Sequence, residues 1–319
     1  DNKRSMMPLT YGANGAHYDL GVDNTSFQPL ADIDTITGYD FAVDWVQTLC
    51  ELNNLSMTTT YNNAIRAGLS ELKNMPVEFR TMLGLYAQIK GSCAEVGDVV
   101  KQYCGDDSLQ ARVLSANLDR IKLNSFNVFE MEQIINKGDA VVIPVLKYLF
   151  YKISQRFDGR PTLIVIEEAW MAFQNPVFAK KLEEWLKTLR KQNVYIIMVT
   201  LQVQEIANSS IRSSLLQEVS TLLFTPNPEL KKTEVRSAYE KIGLSDTQIN
   251  LLQHATPKQE YYITNENGQR LFNLDMDYFA YAKAFSCRIS IDDLQQAREL
   301  KQLHGDGFAQ EWLKYCGVK

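Results

Sequence analysis

The sequence predicts an α/β protein built on a mainly parallel sheet, and three observations carry that expectation. The run TLIVI, Thr162–Ile166, is five consecutive apolar or β-branched residues. That is the pattern of a strand covered on both faces, as strands of parallel sheets are. From SFNVFEM onward, strand-like and helix-like segments alternate: VVIPVLKYLFYKISQRF, TLIVI, FAKKLEEWLKTLRKQN, VYIIMV, VQEIANSSIRSSLLQEV and TLLFT. Such alternation means βαβ crossovers. Finally, 319 residues of which 45% are apolar can bury a large core, in one big domain with an insertion or in two smaller ones.

The elements come in order along the chain. Residues 1–39 contain short extended pieces such as AHYDLG among Gly, Asn and Asp, as at a sheet edge with its loops. Residues 40–120 read as a helical subdomain. YDFAVDWVQTLCELNN, TYNNAIRAGLSELKNM, VEFRTMLGLYAQI, AEVGDVVKQYC and VLSANLDRI each repeat apolar residues at three- and four-residue spacing. Residues 121–275 hold the alternating segments. They continue through the helices TEVRSAYEKIG and DTQINLLQHA into YYITNENGQRLFNLDM, where Asn267-Gly268 between alternating residues signals a hairpin. Residues 276–319 close the chain with two helices, SIDDLQQARELKQL and FAQEWLKYCG.

Composition excludes several classes of function. Net charge is −5 with both signs mixed along the chain, so no strongly basic stretch announces nucleic acid or an anionic membrane, and any nucleic-acid contact has to be local. Five cysteines without a CxxC pair and three scattered histidines argue for a reducing compartment and against a zinc site or a disulfide framework. AVVIPVLKYLF is too short for a membrane span and is broken by Pro144 and Lys147. No signal-peptide pattern opens the chain. The first residues, DNKRSM, form a charged cluster without a starting methionine and read as a cut within a longer protein.

The chemistry centres on Glu167 and Glu168, which stand side by side after TLIVI and before a helix. Ligands of parallel sheets bind at the carboxyl ends of the strands. An acid pair there is where phosphate-loop NTPases keep the Mg2+-organising acid and the acid that orients the attacking water. The competing reading is an acidic pair stabilised by a helix dipole. A phosphate loop of the form GxxxxGKS or GxxxxGKT is absent, because GANG at Gly12 to Gly15 and the Gly91 to Gly97 spacing lack the lysine and hydroxyl. The helix FAKKLEEWLKTLRKQN places Phe178, Leu182, Trp185, Leu186 and Leu189 on one face and Lys180, Lys181, Glu183, Lys187, Arg190 and Lys191 outside. Arg190 and Lys191 either complement the helix C-terminus or reach a neighbouring subunit's nucleotide as an arginine finger. Trp170 and Trp185 read as core packing.

EEAW, FQNPVF, LEEWLKTLRKQN, Thr200 after the next strand, and ATPKQEYYITNENGQRLF, with HYDLG, FQPLADID, NVFEMEQII and PVLKYLFYKI upstream, resemble the TrbE-type conjugal-transfer ATPases. These are relatives of the VirB-type ATPases of type IV secretion. The resemblance covers nearly the whole chain in order. It implies a RecA-like P-loop NTPase fold with an inserted helical subdomain and a C-terminal hairpin plus helices, in which 1–39 is part of a core whose phosphate loop lies upstream of DNKRSM. It implies ATP and Mg2+ as cofactors and hydrolysis coupled to pilus assembly and substrate transfer. The implied setting is an oligomer, often a hexamer, at the cytoplasmic face of the bacterial inner membrane beside other secretion components and ATPases. Residue by residue, it makes Glu168 the catalytic acid and puts Glu167 at the Mg2+ position through a water. Thr200 and Gln202 stand at the γ-phosphate sensor, though a plain strand-end polar cluster is the equal alternative. Arg190 becomes the trans-acting finger, with Lys191 and Lys258 as further nucleotide contacts from the interface.

Three departures accompany the resemblance. Relatives carry Asp-Glu where this chain has Glu167-Glu168, a shift of the first carboxylate by about 1.5 Å. They carry Thr-Gln where Leu201 here separates Thr200 from Gln202, and Lys-Arg where this chain has Lys258-Gln259. Two function classes therefore stay open: an ATP-driven motor domain, and a non-hydrolysing structural subunit whose site has decayed. A third, a DNA-translocating motor, needs a basic pore surface that the composition does not show. The 319 residues alone are expected to be inactive.

Overall fold

The computed structural model describes residues 3–318 except 24, 106, 171–175, 275–278 and 287–289, without the side chains of residues 176–178 and 181. The expected placements of Phe178 and Lys181 on their helix, and most of FQNPVF, lie outside the described residues. The chain divides into two compact units, Asp1–Arg156 with Phe285–Lys319, and Phe157–Ala284.

In the first unit, α1 (Met7–Gly12) leads to β1 (Ala16–Asp19). Five helices follow: α2 (Ile36–Leu52), α3 (Thr59–Lys73), α4 (Met82–Ile89), α5 (Ala94–Lys101) and α6 (Leu109–Leu114). After them come β2 (Asn127–Glu130), α7 (Glu132–Ile135) and α8 (Asp139–Ser154). Hydroxyl caps fix where four of these helices begin. Thr35, Thr58, Thr81 and Ser108 accept from the N–H groups of Gly38, Tyr61, Gly84 and Ala111, each satisfying a donor the helix cannot. Strand β1 pairs parallel with β2 from Ala16↔Asn127 to Asp19↔Glu130.

Helix α2 buries Val46, Leu49, Cys50 and the fully enclosed Trp45, whose Nε1 donates to the Pro144 carbonyl of α8 at 3.0 Å. Pro144 lies inside α8 and has no N–H to offer the Ala140 carbonyl four residues back. The buried Tyr103 supplies the missing donor through its hydroxyl, at 2.9 Å. The segment VLSANLDRI, expected to be helical, leaves the helix after Leu114. Its Ala116 and Arg120 N–H groups donate instead to the carbonyls of Phe27 and Ser26, at 3.1 and 3.2 Å.

The second unit contains β3 (Thr162–Ile166), α9 (Pro176–Thr188), β4 (Val194–Met198), α10 (Val203–Ala207), α11 (Arg212–Glu218) and β5 (Thr221–Phe224). Then come α12 (Thr233–Lys241), α13 (Asp246–His254), β6 (Glu260–Asn265) and β7 (Gly268–Asn273). VQEIANSSIRSSLLQEV, expected as one helix, is two. Strands β3 and β4 pair parallel, Thr162↔Val194 to Ile166↔Met198. TLLFT does not join a parallel ladder as the alternation suggested, because β5 runs antiparallel to β6 with Phe224 opposite Tyr262. That pairing closes a core of Phe224, Leu230, Tyr239, Ile249, Leu252 and Tyr262. In the hairpin, Asn265 pairs with Gly268, so the turn residues are Glu266 and Asn267. Gly268 takes φ 136°, which a side chain would resist.

Coverage of the parallel pair is one-sided. Leu163 and Val165 on β3 are 60% and 54% exposed, and Tyr195 and Ile197 on β4 are 62% and 49% exposed, where the sequence suggested burial of both faces. Helix α14 (Ala280–Ser286) contains the division between the units. After it, α15 (Ile291–His304) and α16 (Phe308–Tyr315) pack Ala297, Phe308 and Trp312 against Tyr11 of α1. Among the described residues no helix is long and apolar enough to cross a membrane.

Candidate functional site

The acid pair sits just past the carboxyl end of β3, half-buried, and the backbone there departs from a regular ladder. The Val199 N–H donates to the Ile166 carbonyl at 2.9 Å. In an evenly spaced parallel ladder the Val199 carbonyl would accept from Glu168, two residues beyond Ile166. It accepts instead from Ala169, at 2.9 Å. One extra residue is therefore accommodated, so that Glu167 and Glu168 together oppose Val199, as in a β-bulge. Glu168 takes φ 52°, a left-handed conformation that costs a residue with a Cβ about 1–2 kcal/mol. Bulges of this kind re-aim side chains at the rims of sheets. The indole Nε1 of the half-buried Trp170 donates to Glu168 Oε2 at 2.7 Å.

Thr200 follows Val199 directly, so it shares the carboxyl edge with the acid pair. Its hydroxyl donates to the carboxylate of Glu205. Gln202 is the N-cap residue of α10, exposed, and its backbone N–H donates to the same Glu205 carboxylate at 3.4 Å. Glu205 was missed in the sequence, although an acid three residues after a cap is a recognisable helix-start signal. Trp170, which the sequence presents as core packing, gives no sign in the sequence that its N–H points at Glu168.

Arg190 and Lys191 stand away from this edge. Arg190 and Lys191 lie exposed in the 3-10 turn Leu189–Gln192, which ends in left-handed Asn193 just before β4. They stand at the amino end of β4, whose five residues, about 16 Å of strand, lie between them and the edge that carries Thr200. Lys258 is exposed, left-handed at φ 65°, in the turn before β6. Arg190 thus lies at the opposite end of β4 from the edge that carries the acid pair.

The residues present suit one half of a Mg2+-nucleotide site. Two carboxylates at a sheet edge offer the hard oxygen donors that Mg2+ prefers, the remaining positions going to phosphate oxygens and water. Among the described residues there is no group of three or more His, Cys, Asp or Glu that could hold a metal ion, so the two carboxylates would need a nucleotide's phosphate oxygens to complete a Mg2+ shell.

A parallel strand pair that presents an acid pair on one strand and a hydroxyl on the next, both at the carboxyl edge, is the arrangement of P-loop NTPases, the class to which this fold belongs. The TraG P-loop domain matches residues 99–271, more than half of the chain, and the chain belongs to that family. It is 33% identical over its whole length to the conjugal transfer protein TrbE of Rhizobium radiobacter. Over 99% of its length it is 32% identical to a probable conjugal transfer protein TrbE of Sinorhizobium fredii. It spans 39% and 48% of those relatives. Similarity to protein virB4 of Agrobacterium tumefaciens is 23% over 88% of the chain and 36% of the relative. Among solved structures, VirB4 of Thermoanaerobacter pseudethanolicus superposes with a TM-score of 0.66, 16% identity, and coverage of 84% of this chain and 78% of that one. The conjugative coupling protein TrwBdeltaN70 in its unbound monoclinic form gives 0.52, 11% identity, and coverage of 87% and 77%. These two likenesses concern the fold. Membership of a P-loop family implies nucleotide binding.

Proposed function

We propose that these residues form the motor domain of an ATPase of conjugal transfer or type IV secretion, which couples ATP hydrolysis to pilus assembly and substrate transfer. The observation that carries the reading is the acid pair bulged out of the carboxyl edge of β3, beside Thr200, in a chain of the TraG P-loop family. In this reading Glu168 orients the attacking water and Glu167 meets Mg2+ through a water. Bound Mg2+ would neutralise charge on the phosphate oxygens. Thr200 and Gln202 stand where a γ-phosphate is sensed, with Glu205 holding their loop, and Lys191 and Lys258 face the nucleotide of a neighbour. Self-association, into an oligomer such as a hexamer, uses the face carrying Arg190, Lys191 and residues 258–262. The setting is the cytoplasmic face of the inner membrane, beside the other secretion components.

A second reading, a structural subunit that no longer hydrolyses ATP, is favoured by one specific feature. The Thr200 hydroxyl is already taken by Glu205, and Leu201 displaces Gln202 onto the helix cap. Calorimetry and turnover separate the two. The full open reading frame should bind Mg-ATP at micromolar affinity and hydrolyse it, and Glu168→Gln should lower kcat by at least about a hundredfold with binding retained. The 319 residues alone, without a GxxxxGKS or GxxxxGKT loop, should not bind at micromolar concentration. Binding without turnover in the parent protein would select the structural subunit.

A further inference from the structure

We propose that Trp170 is a positioning residue for Glu168, holding that carboxylate at the sheet edge through its indole N–H. The inference rests on the functional reading above for its consequence, and on geometry alone for the contact. Two constraints converge on Glu168. Its backbone is held left-handed between two hydrogen bonds to Val199, and its Oε2 accepts from Trp170 Nε1 at 2.7 Å. The indole N–H is a donor only, so its one polar role at this site is to donate, and the acceptor it meets is Glu168 Oε2. A hydrogen bond to an ionised group is shorter and stronger than a neutral one. A glutamate with three rotatable bonds would otherwise sample many orientations, whereas an acid that aligns water must keep its oxygens fixed to a fraction of an ångström. The pair is local in sequence, so the contact survives any rearrangement that leaves the EEAW turn intact.

The contact itself is read in the 319-residue chain, without activity. Of the four tryptophans, Trp45 and Trp312 are fully buried and Trp185 is 6% exposed, so iodide quenching reports chiefly on Trp170. Glu168 should repel iodide from the ring. Glu168→Gln should raise the iodide Stern–Volmer constant about twofold, with quenching by neutral acrylamide unchanged, and Trp170→Phe should remove most of the quenchable emission. An unchanged iodide constant in Glu168→Gln overturns the contact.

The consequence is read as turnover of the full open reading frame. Trp170→Phe keeps the apolar ring and loses the donor. It should lower kcat about tenfold, the equivalent of one charge-assisted hydrogen bond, with the KM for ATP and the melting temperature held. Trp170→His, which keeps a ring N–H, should recover part of the loss. Glu168→Gln with Trp170→Phe should fall no lower than Glu168→Gln alone. If Glu168→Gln abolishes turnover and Trp170→Phe leaves it at the parent rate, positioning by Trp170 is refuted while the functional reading stands. If Glu168→Gln turns over at the parent rate, the role of Glu168 fails, and the positioning proposal fails with it.

Discussion

Arg4→Met should destabilise the first unit by about 3 kcal/mol, the lower end of what breaking a buried ion pair costs. The two carboxylates that face each other at the end of the β1–β2 ladder, Asp19 and Glu130, are 6% and 0% exposed. Two like charges at such a place need a cation. Arg4 supplies it: Nε and Nη2 reach the two Asp19 oxygens at 2.6 and 3.2 Å, Nη1 reaches Glu132 at 2.7 Å, and the backbone N–H donates to Glu130. Met fills the volume of the stem and removes every side-chain donor. The lower end of the range applies because Arg298 stands 3.6 Å from the same Asp19 oxygen and can move closer. In a unit of about 190 residues, 3 kcal/mol corresponds to a fall of about 6–12 °C in its melting transition, read by scanning calorimetry. Asp19→Asn should rescue part of the loss when combined with Arg4→Met, since it removes one of the stranded charges. A loss below about 1 kcal/mol, or strict additivity of the two changes, would refute the claim that Arg4 is the compensating cation.

Two further outcomes are open to measurement. Burial holds the imidazole of His17 below its ordinary value near 6.5, only partly offset by Asp19 and Glu130. The unfolded chain therefore takes up this proton first as pH falls, so this contribution is complete above about 6.5 and is lost as pH drops towards the lower folded value. Urea unfolding at pH 7.5 and 5.5 should show a smaller difference for His17→Phe than for the parent, and an equal difference would remove His17 from the pH response. In the full reading frame, Arg190→Lys should cut turnover steeply if Arg190 completes a neighbour's site, because lysine lacks the planar fork, whereas Lys191→Arg should not; unchanged turnover in Arg190→Lys leaves Arg190 as a helix-end charge worth less than about 0.5 kcal/mol.

What sequence made legible was whatever depends on local period and turn residues. The helices α2, α3 and α5 and the TLIVI and VYIIMV strands announce themselves through spacing, and the hairpin through Asn267-Gly268. What it hid depends on partners far along the chain. TLLFT looks the same whether its partner is parallel or antiparallel, and only the meeting of Phe224 with Tyr262 decides. VLSANLDRI has helical spacing, but the carbonyls of Ser26 and Phe27 claim its N–H groups. Asn208 to Ile211 break a helix that periodicity would have continued, with the Ser209 hydroxyl accepting from the Ile211 N–H at 3.3 Å. At the site, the acid pair is legible from its place at a strand end, and Thr200 only through the family resemblance. Glu205 and Trp170 are not, because what matters about them is where one oxygen and one N–H point.

The bulge also changes how the Glu167-Glu168 departure should be weighed. On a regular strand end, a glutamate in place of an aspartate carries its carboxylate about 1.5 Å farther out, and that displacement counts against a Mg2+ site. That figure assumes the strand's own alternation of side chains. Here the ladder has already absorbed one extra residue opposite Val199, and Glu168 has left the extended region. The directions of both side chains are therefore set by the bulge. The length of the Glu167 arm is one variable in a geometry whose larger variable is the backbone, so Glu167→Asp is no simple restoration of the relatives' pattern. Shortening that arm while the bulge persists should draw the carboxylate back from the edge by the same distance of about 1.5 Å, and should weaken Mg2+-dependent turnover of the full reading frame where the relatives' pattern alone would have it strengthened.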